Sequence, residues 1–182
     1  MKVLVAYYSW TGNTARVARA ITDGLACDIE EICERRPRRG GFGRLRCAID
    51  SLLRRRPGLV PLRKRLEDYD LVILGCPVWA RQMASPMRSF IDANRGRFRM
   101  TATFCTQAGI GGELVLETVA RACGAPTLTH LVVSQQMLAS DDWRHAVSDF
   151  VRTVKEADER WNADHSGPLP VVDRQMGALE TL

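Results

Sequence analysis

Val3-Leu4-Val5-Ala6-Tyr7-Tyr8-Ser9-Trp10-Thr11-Gly12-Asn13-Thr14 runs from an apolar, strand-like segment into a turn built of hydroxyls, amides and backbone N–H groups, and a helical pattern follows. A helix start leaves its first N–H groups without intrahelical partners and carries the positive end of the helix dipole, so an anion seated there gains hydrogen bonds from groups already in place. Gly12 lets backbone approach a ligand, and Ser9, Thr11, Asn13 and Thr14 add side-chain donors at short reach. The turn contains neither Gly-Lys-Ser/Thr, as a nucleoside triphosphate needs, nor Gly-x-Gly-x-x-Gly, as a dinucleotide needs. A single terminal phosphate fits it best. The same residue types also gather in ordinary turns and N-caps, so the turn alone leaves both readings open.

Two further segments bear on the choice. Asp70-Leu71-Val72-Ile73-Leu74-Gly75-Cys76-Pro77-Val78-Trp79 reads as a buried strand entering a Pro-x-Trp loop. Thr103-Phe104-Cys105-Thr106-Gln107-Ala108-Gly109-Ile110-Gly111-Gly112 reads as a strand entering a glycine-rich loop. With Ser9-x-Thr11-Gly12-Asn13-Thr14 ahead of them, these segments in this order resemble the flavodoxin family, the likeness covering most of residues 1–160. The resemblance implies FMN as cofactor. It implies phosphate ligands at Ser9, Trp10, Thr11, Gly12, Asn13 and Thr14. Ring ligands are implied at Pro77, Val78, Trp79, Ala80 and Arg81, with Trp79 stacking, and at Thr106, Gln107, Ala108, Gly109, Ile110 and Gly111.

Hydropathy patterning gives the scaffold independently. Val3–Tyr8, Asp28–Cys33, Leu71–Leu74, Ala102–Cys105 and Leu128–Val133 read as strands. Helices are expected from Thr14 to Ala26, from a Ser85 cap with Pro86 behind it, over Glu113–Cys123, and from Ser140-Asp141-Asp142 onward. This alternation predicts one domain of the α/β class, a doubly wound five-stranded parallel sheet. The flavodoxin-like strand order is 2-1-3-4-5, and ligands then sit beyond the carboxyl ends of the strands where that order reverses. From Asn162 onward periodicity is lost and the chain reads as a tail.

Composition narrows the function classes. The chain has 182 residues, a formal charge of +5 and six cysteines, none in a Cys-x-x-Cys pair or at metal-ligand spacing. His130, His145 and His165 are scattered, and Ser9 lacks the Gly-x-Ser-x-Gly elbow, so no metal site, catalytic triad or hydrolytic constellation is expected. No apolar run reaches membrane-spanning length, and a cytoplasmic protein without a transmembrane segment is expected. Charge is unevenly placed. Residues 35–65 hold twelve Lys and Arg against the single acid Asp50, a local +11, which leaves the remainder at −6. Phe42, Leu45, Ala48, Ile49, Leu52 and Leu53 fall at helical spacing inside this segment. Such a surface could attract an acidic protein, an anionic membrane or, nonspecifically, nucleic acid; with no nucleic-acid motif present, an acidic redox partner is the first expectation.

Three functions follow from the resemblance. The first is an electron-transfer protein working between a reductase and an acceptor. The second is an FMN-dependent NAD(P)H or quinone oxidoreductase, including a protoporphyrinogen-dehydrogenase-like enzyme, although that family's second loop does not match Pro77-Val78-Trp79-Ala80. The third is a flavin-free interaction module of the same fold. Cys105–Gly112 contains no aromatic to cover the outer face of a flavin, which would leave it open to a quinone or nicotinamide. A positive charge at Arg81 would raise the flavin's potential.

Overall fold

The computed structural model describes residues 1–36, 49–50, 52–53 and 55–165. Its spine is a parallel sheet of β1 (Val3–Tyr7), β2 (Asp28–Glu31), β3 (Leu71–Trp79), β5 (Met100–Gln107) and β6 (Thr127–Ser134), in the order β2-β1-β3-β5-β6. Counting these five alone, the order is the expected 2-1-3-4-5. The chain crosses from one side of β1 to the other between β2 and β3, so the reversal lies at the β1–β3 seam. A sixth strand, β4 (Gln82–Met83), was not anticipated. It pairs antiparallel with the end of β3, Val78 opposite Met83 and Trp79 opposite Gln82.

The pleat explains why these strands are apolar on both sides. Along β1, Leu4 and Ala6 enter one core with Val72, Leu74, Met87, Phe90, Ile91, Val115 and Val119. Val5 and Tyr7 enter the other with Ile73, Phe104, Val17, Ile21, Trp143, Phe150 and Val154. Both faces are thus covered, as a parallel sheet requires. The first core is closed by α2 (Ser85–Ala93) and α3 (Gly112–Cys123), the second by α1 (Asn13–Leu25) and α5 (Trp143–His165). Gly75 on β3 lies beneath the ring of Phe104; a Cβ there would sit 2.0 Å from Cζ.

Several boundaries differ from expectation. Pro77 to Trp79 continue β3 rather than forming a loop, because Pro77 sits opposite Thr106 of β5 and Val78 and Trp79 pair with β4. Ala84, not Ser85, occupies the cap of α2, with Ser85 fully buried in its first turn. Ser140 ends a short helix, α4 (Gln135–Ser140), instead of starting the last one; α5 begins at Trp143. β2 stops at Glu31, and Cys33 to Arg35 turn instead to the returning chain, Arg35 N–H donating to Gly58 O and Val60 N–H to Cys33 O, each at 2.9 Å.

The basic segment is described only in part. Phe42, Leu45, Ala48, Arg38, Arg39, Arg44, Arg46 and Arg54 lie outside the described residues, as does the tail beyond residue 165. Ile49, Leu52 and Leu53 are not packed inside, being 41%, 67% and 58% exposed. Of the seven described cations of the segment, Arg55 pairs with Asp50 (3.1 Å), Arg56 with Asp92 (2.5 Å) and Lys64 with Asp28 (2.7 Å). Part of its charge therefore ties the segment to the body.

Candidate functional site

Three chain segments leave the carboxyl ends of β1, β3 and β5, and they surround one cavity of about 410 Å³. Trp10, Thr11 and Asn13 come from the first turn, Pro77, Val78, Trp79 and Ala80 from the β3–β4 hairpin, and Thr106, Gln107 and Ala108 from the end of β5. Gln135 and Leu138 of α4 complete the lining. Every one of these side chains is uncharged. An anion held here would be bound by dipoles and neutral donors instead of by a salt bridge.

The first turn presents the amino end of α1 to the cavity. Gly12 takes φ 92°, which swings the chain into the helix, and nothing lies within 4 Å of where its Cβ would stand. Ala15 N–H donates to Ser9 Oγ at 3.2 Å and Arg16 N–H to Gly12 O at 2.9 Å. The preceding N–H groups, of Asn13 and Thr14, have no intrahelical acceptor by the geometry of a helix start. Ser9 Oγ accepts from Ala15 and keeps its own proton to donate. The Thr14 hydroxyl is turned away from the cavity: Thr14 is 1% exposed and shares a 2.8 Å hydrogen bond with Thr106 Oγ1, a cavity-lining group.

The hairpin fixes the indole of Trp79. Ala80 and Arg81 occupy its two-residue turn, both left-handed, at φ 48° and 57°. Such a turn matches the twist of the paired strands but suits Asn and Gly far better than Ala and Arg, so local strain is being held by the surroundings. Tyr8 packs edge-on against Trp79, ring centroids 5.6 Å apart. Behind the turn, Gly111 caps α3 at φ 106°, and a Cβ there would come within 3.3 Å of Arg81 Cβ. Hairpin and third loop thus touch. Gln107 Oε1 accepts the N–H of Gly112 at 2.8 Å, fixing its amide at the rim.

Seven residues named from the sequence are not part of the lining. Gly12 is exposed beside the lining, and Ser9 borders a neighbouring hollow with Trp10 and Glu34. Thr14 is engaged by Thr106. Arg81, Gly109 and Ile110 are exposed, and Gly111 is half-buried behind Arg81. Gln135 and Leu138 were missed. Their signal was Ser134, whose hydroxyl caps α4 by accepting Met137 N–H at 3.1 Å.

The two cysteines that end the central strands, Cys76 and Cys105, lie in register on β3 and β5 and are 2% and 0% exposed. Burial pushes the Cys76 thiol up to about 12 and Cys105 higher still, so both are neutral thiols near pH 7. Among the described residues no group of three or more His, Cys, Asp or Glu could hold a metal ion, and no helix is long and apolar enough to cross a membrane.

A family model described as Flavodoxin matches residues 2–153. A flavoprotein from Lactobacillus acidophilus, crystallised in complex with FMN, superposes with a TM-score of 0.63 at 22% identity, covering 78% of this chain and 97% of its own. A flavoprotein from Bacteroides uniformis gives 0.64 at 22% identity, covering 83% and 97%. An NAD(P)H dehydrogenase (quinone) from Archaeoglobus fulgidus is 31% identical over 101 residues, 50% of this chain and 50% of that relative. The chain thus spans about half the length of this curated relative.

Proposed function

Because this chain belongs to the flavodoxin family, we propose that it is a cytoplasmic FMN-binding redox protein whose cofactor occupies the cavity between α1 and the β3–β4 hairpin. The observation that carries this reading is a single uncharged cavity that joins the amino end of α1 to the indoles of Trp10 and Trp79. Its volume lies in the range of small-molecule sites, and its donor set suits a phosphate monoester at one end and a planar ring at the other. The open space over Gly12 leaves the approach to the helix N–H groups clear. In this reading Ser9, Thr11, Asn13 and the N–H groups of Asn13 and Thr14 hold the phosphate. Trp79 offers a flat face to the ring, and Pro77 to Ala80 with Thr106 to Ala108 meet its polar edge. Bound there, FMN supplies electron transfer in one- or two-electron steps. The protein's own part is to hold and orient the group, exclude water with the two indoles and, through Arg81 at the rim, bias the ring toward negative charge.

A yellow purified protein with oxidised-flavin absorption would support the assignment, and a colourless one that takes up no FMN would end it. Asn13→Ala and Thr11→Ala should each weaken FMN more than riboflavin, by about tenfold for a lost hydrogen bond to a charged group. A second reading, an oxidoreductase acting directly on a quinone or nicotinamide, is favoured by one observation: the residues of the third loop that line the cavity, Thr106 to Ala108, contribute no aromatic cover. Steady oxidation of NADH or NADPH by a quinone with this protein as sole catalyst would establish it. A carrier would instead need a separate reductase.

A further inference from the structure

We infer that Asp141 is a positioning residue for the cavity, tethering α4 to α1 so that Gln135 and Leu138 keep their place in its wall. This role rests on the flavin reading of the cavity and assigns it a further wall beyond the anion-binding turn and the indoles. Gln135 and Leu138 are uncharged, and a leucine has nothing to offer a phosphate. The wall of α4 therefore serves the neutral body of a guest.

α4 cannot hold that place unaided. It has six residues, none of them buried, and a helix so short is marginal in water. Its two ends are fastened instead. At the first, Ser134 Oγ accepts Met137 N–H at 3.1 Å, which ties the helix to the strand before it. At the second, Asp141 turns left-handed at φ 61°, a conformation that Gly, Asn and Asp enter more readily than other residues. From that turn Asp141 Oδ1 accepts from Arg16 Nη2 of α1 and from Trp143 Nε1 of α5, both at 3.1 Å, with Arg144 Nε 3.6 Å away.

The anchors are themselves fixed. Trp143 is buried, and the guanidinium groups of Arg16 and Arg144 lie over its ring, 4.8 and 4.9 Å from the centroid. An isolated ion pair as exposed as Arg16 and Asp141 would stabilise little, but this oxygen also serves a buried indole. Arg16 carries the tether on to the anion-binding turn, because its own N–H donates to Gly12 O at 2.9 Å. One carboxylate thus sets the spacing between the turn that would take the phosphate and the wall of α4.

Three substitutions at the one position separate the tether from the turn. Asp141→Gly keeps the left-handed backbone and removes the carboxylate, Asp141→Ala suits neither, and Asp141→Asn keeps the backbone and an accepting oxygen. The Gly and Ala variants should each weaken riboflavin and FMN alike, by about fivefold in fluorescence titrations, with Asn staying within about twofold of the wild type. Riboflavin is the decisive probe, since it has no phosphate on which the altered charge beside Arg16 could act. In flavin-free protein, the amides of Leu138 to Ser140 should exchange hydrogen about fivefold faster in Asp141→Gly, and those of β1 and β3 at the wild-type rate. An Asp141→Gly variant with wild-type affinities would overturn the proposal. So would a loss confined to FMN, which would place the effect in charge, or a lowered melting temperature with both affinities unchanged, which would mark a contact of structure alone. A wild type that binds neither flavin would end the cofactor reading and this role with it, whereas flavin binding with unchanged exchange of α4 in Asp141→Gly would end this role alone.

Discussion

Gly12→Ala isolates the geometry on which anion binding rests. The wild-type residue sits at φ 92°, ψ −18°, and a Cβ there would meet no atom within 4 Å. The substitution therefore costs no steric clash and only the price of a left-handed L-residue, about 1–2 kcal/mol. That energy can appear in two places. If the turn keeps its shape in the empty protein, stability falls by the whole amount, which for a chain of this size lowers the melting temperature by roughly 2–8 °C, and affinity is untouched. If the empty turn relaxes to negative φ, stability is spared and the ligand must rebuild the turn, which weakens FMN roughly 5- to 30-fold. The sum of the two losses should stay near 1–2 kcal/mol, and riboflavin, which has no phosphate to seat, should lose less than FMN. Thermal melts and fluorescence titrations with both flavins measure all the quantities. A loss of affinity that is equal for the two flavins and not zero, or no change in either stability or affinity, would refute the reasoning.

Other substitutions probe the surroundings. Gly75→Ala drives a methyl to within 2.0–2.7 Å of three atoms of the Phe104 ring, and should destabilise the protein by about 3 kcal/mol in chemical denaturation. Arg81→Glu should lower the midpoint potential of bound flavin by some tens of millivolts, roughly the effect of two unit charges at ~10 Å in water, while a redox titration that shows no shift would remove Arg81 from the account. Asp28 accepts hydrogen bonds from Lys64 Nζ and Tyr69 OH, and these, Lys64 foremost, hold its carboxyl below the usual range. A lowered folded value means stability that is present above the ordinary carboxylate value near pH 4 and is lost as pH falls through the lowered one. Asp28→Asn should flatten the pH dependence of the melting temperature in that acid window and leave its slope near pH 7 alone.

Much of the scaffold was legible because each central strand holds a short apolar run, and β1 and β5 end in a residue pattern that cannot continue them. Ser9 to Asn13 and Ala108 to Gly111 announce turns by composition, and ten of the seventeen residues named from the sequence line the cavity. What was missed has no periodic signature. β4 is two residues long, and its turn uses Ala80 and Arg81, neither of which advertises the left-handed conformation that both adopt. The pairing of Cys33 and Arg35 with Gly58 and Val60 joins residues some 25 positions apart, and nothing in the amphipathic spacing of Ile49, Leu52 and Leu53 distinguishes a packed face from a bare one. Gln135 and Leu138 reach the cavity because a six-residue helix is inserted before the long one, too short for periodicity to reveal.

Thr14 and Thr106, 92 residues apart in sequence, share one hydrogen bond, and a hydroxyl owns one proton. Thr106, the member of the pair that lines the cavity, has a proton to offer a guest only while Thr14 gives its own to the bond. A guest that drew on Thr106 from inside the cavity would fix the polarity of the link and set Thr14 to give, at the root of the helix that would receive the anion. Occupancy of the cavity wall would thus be felt one bond deeper, as the direction of a link buried beneath the first turn of α1.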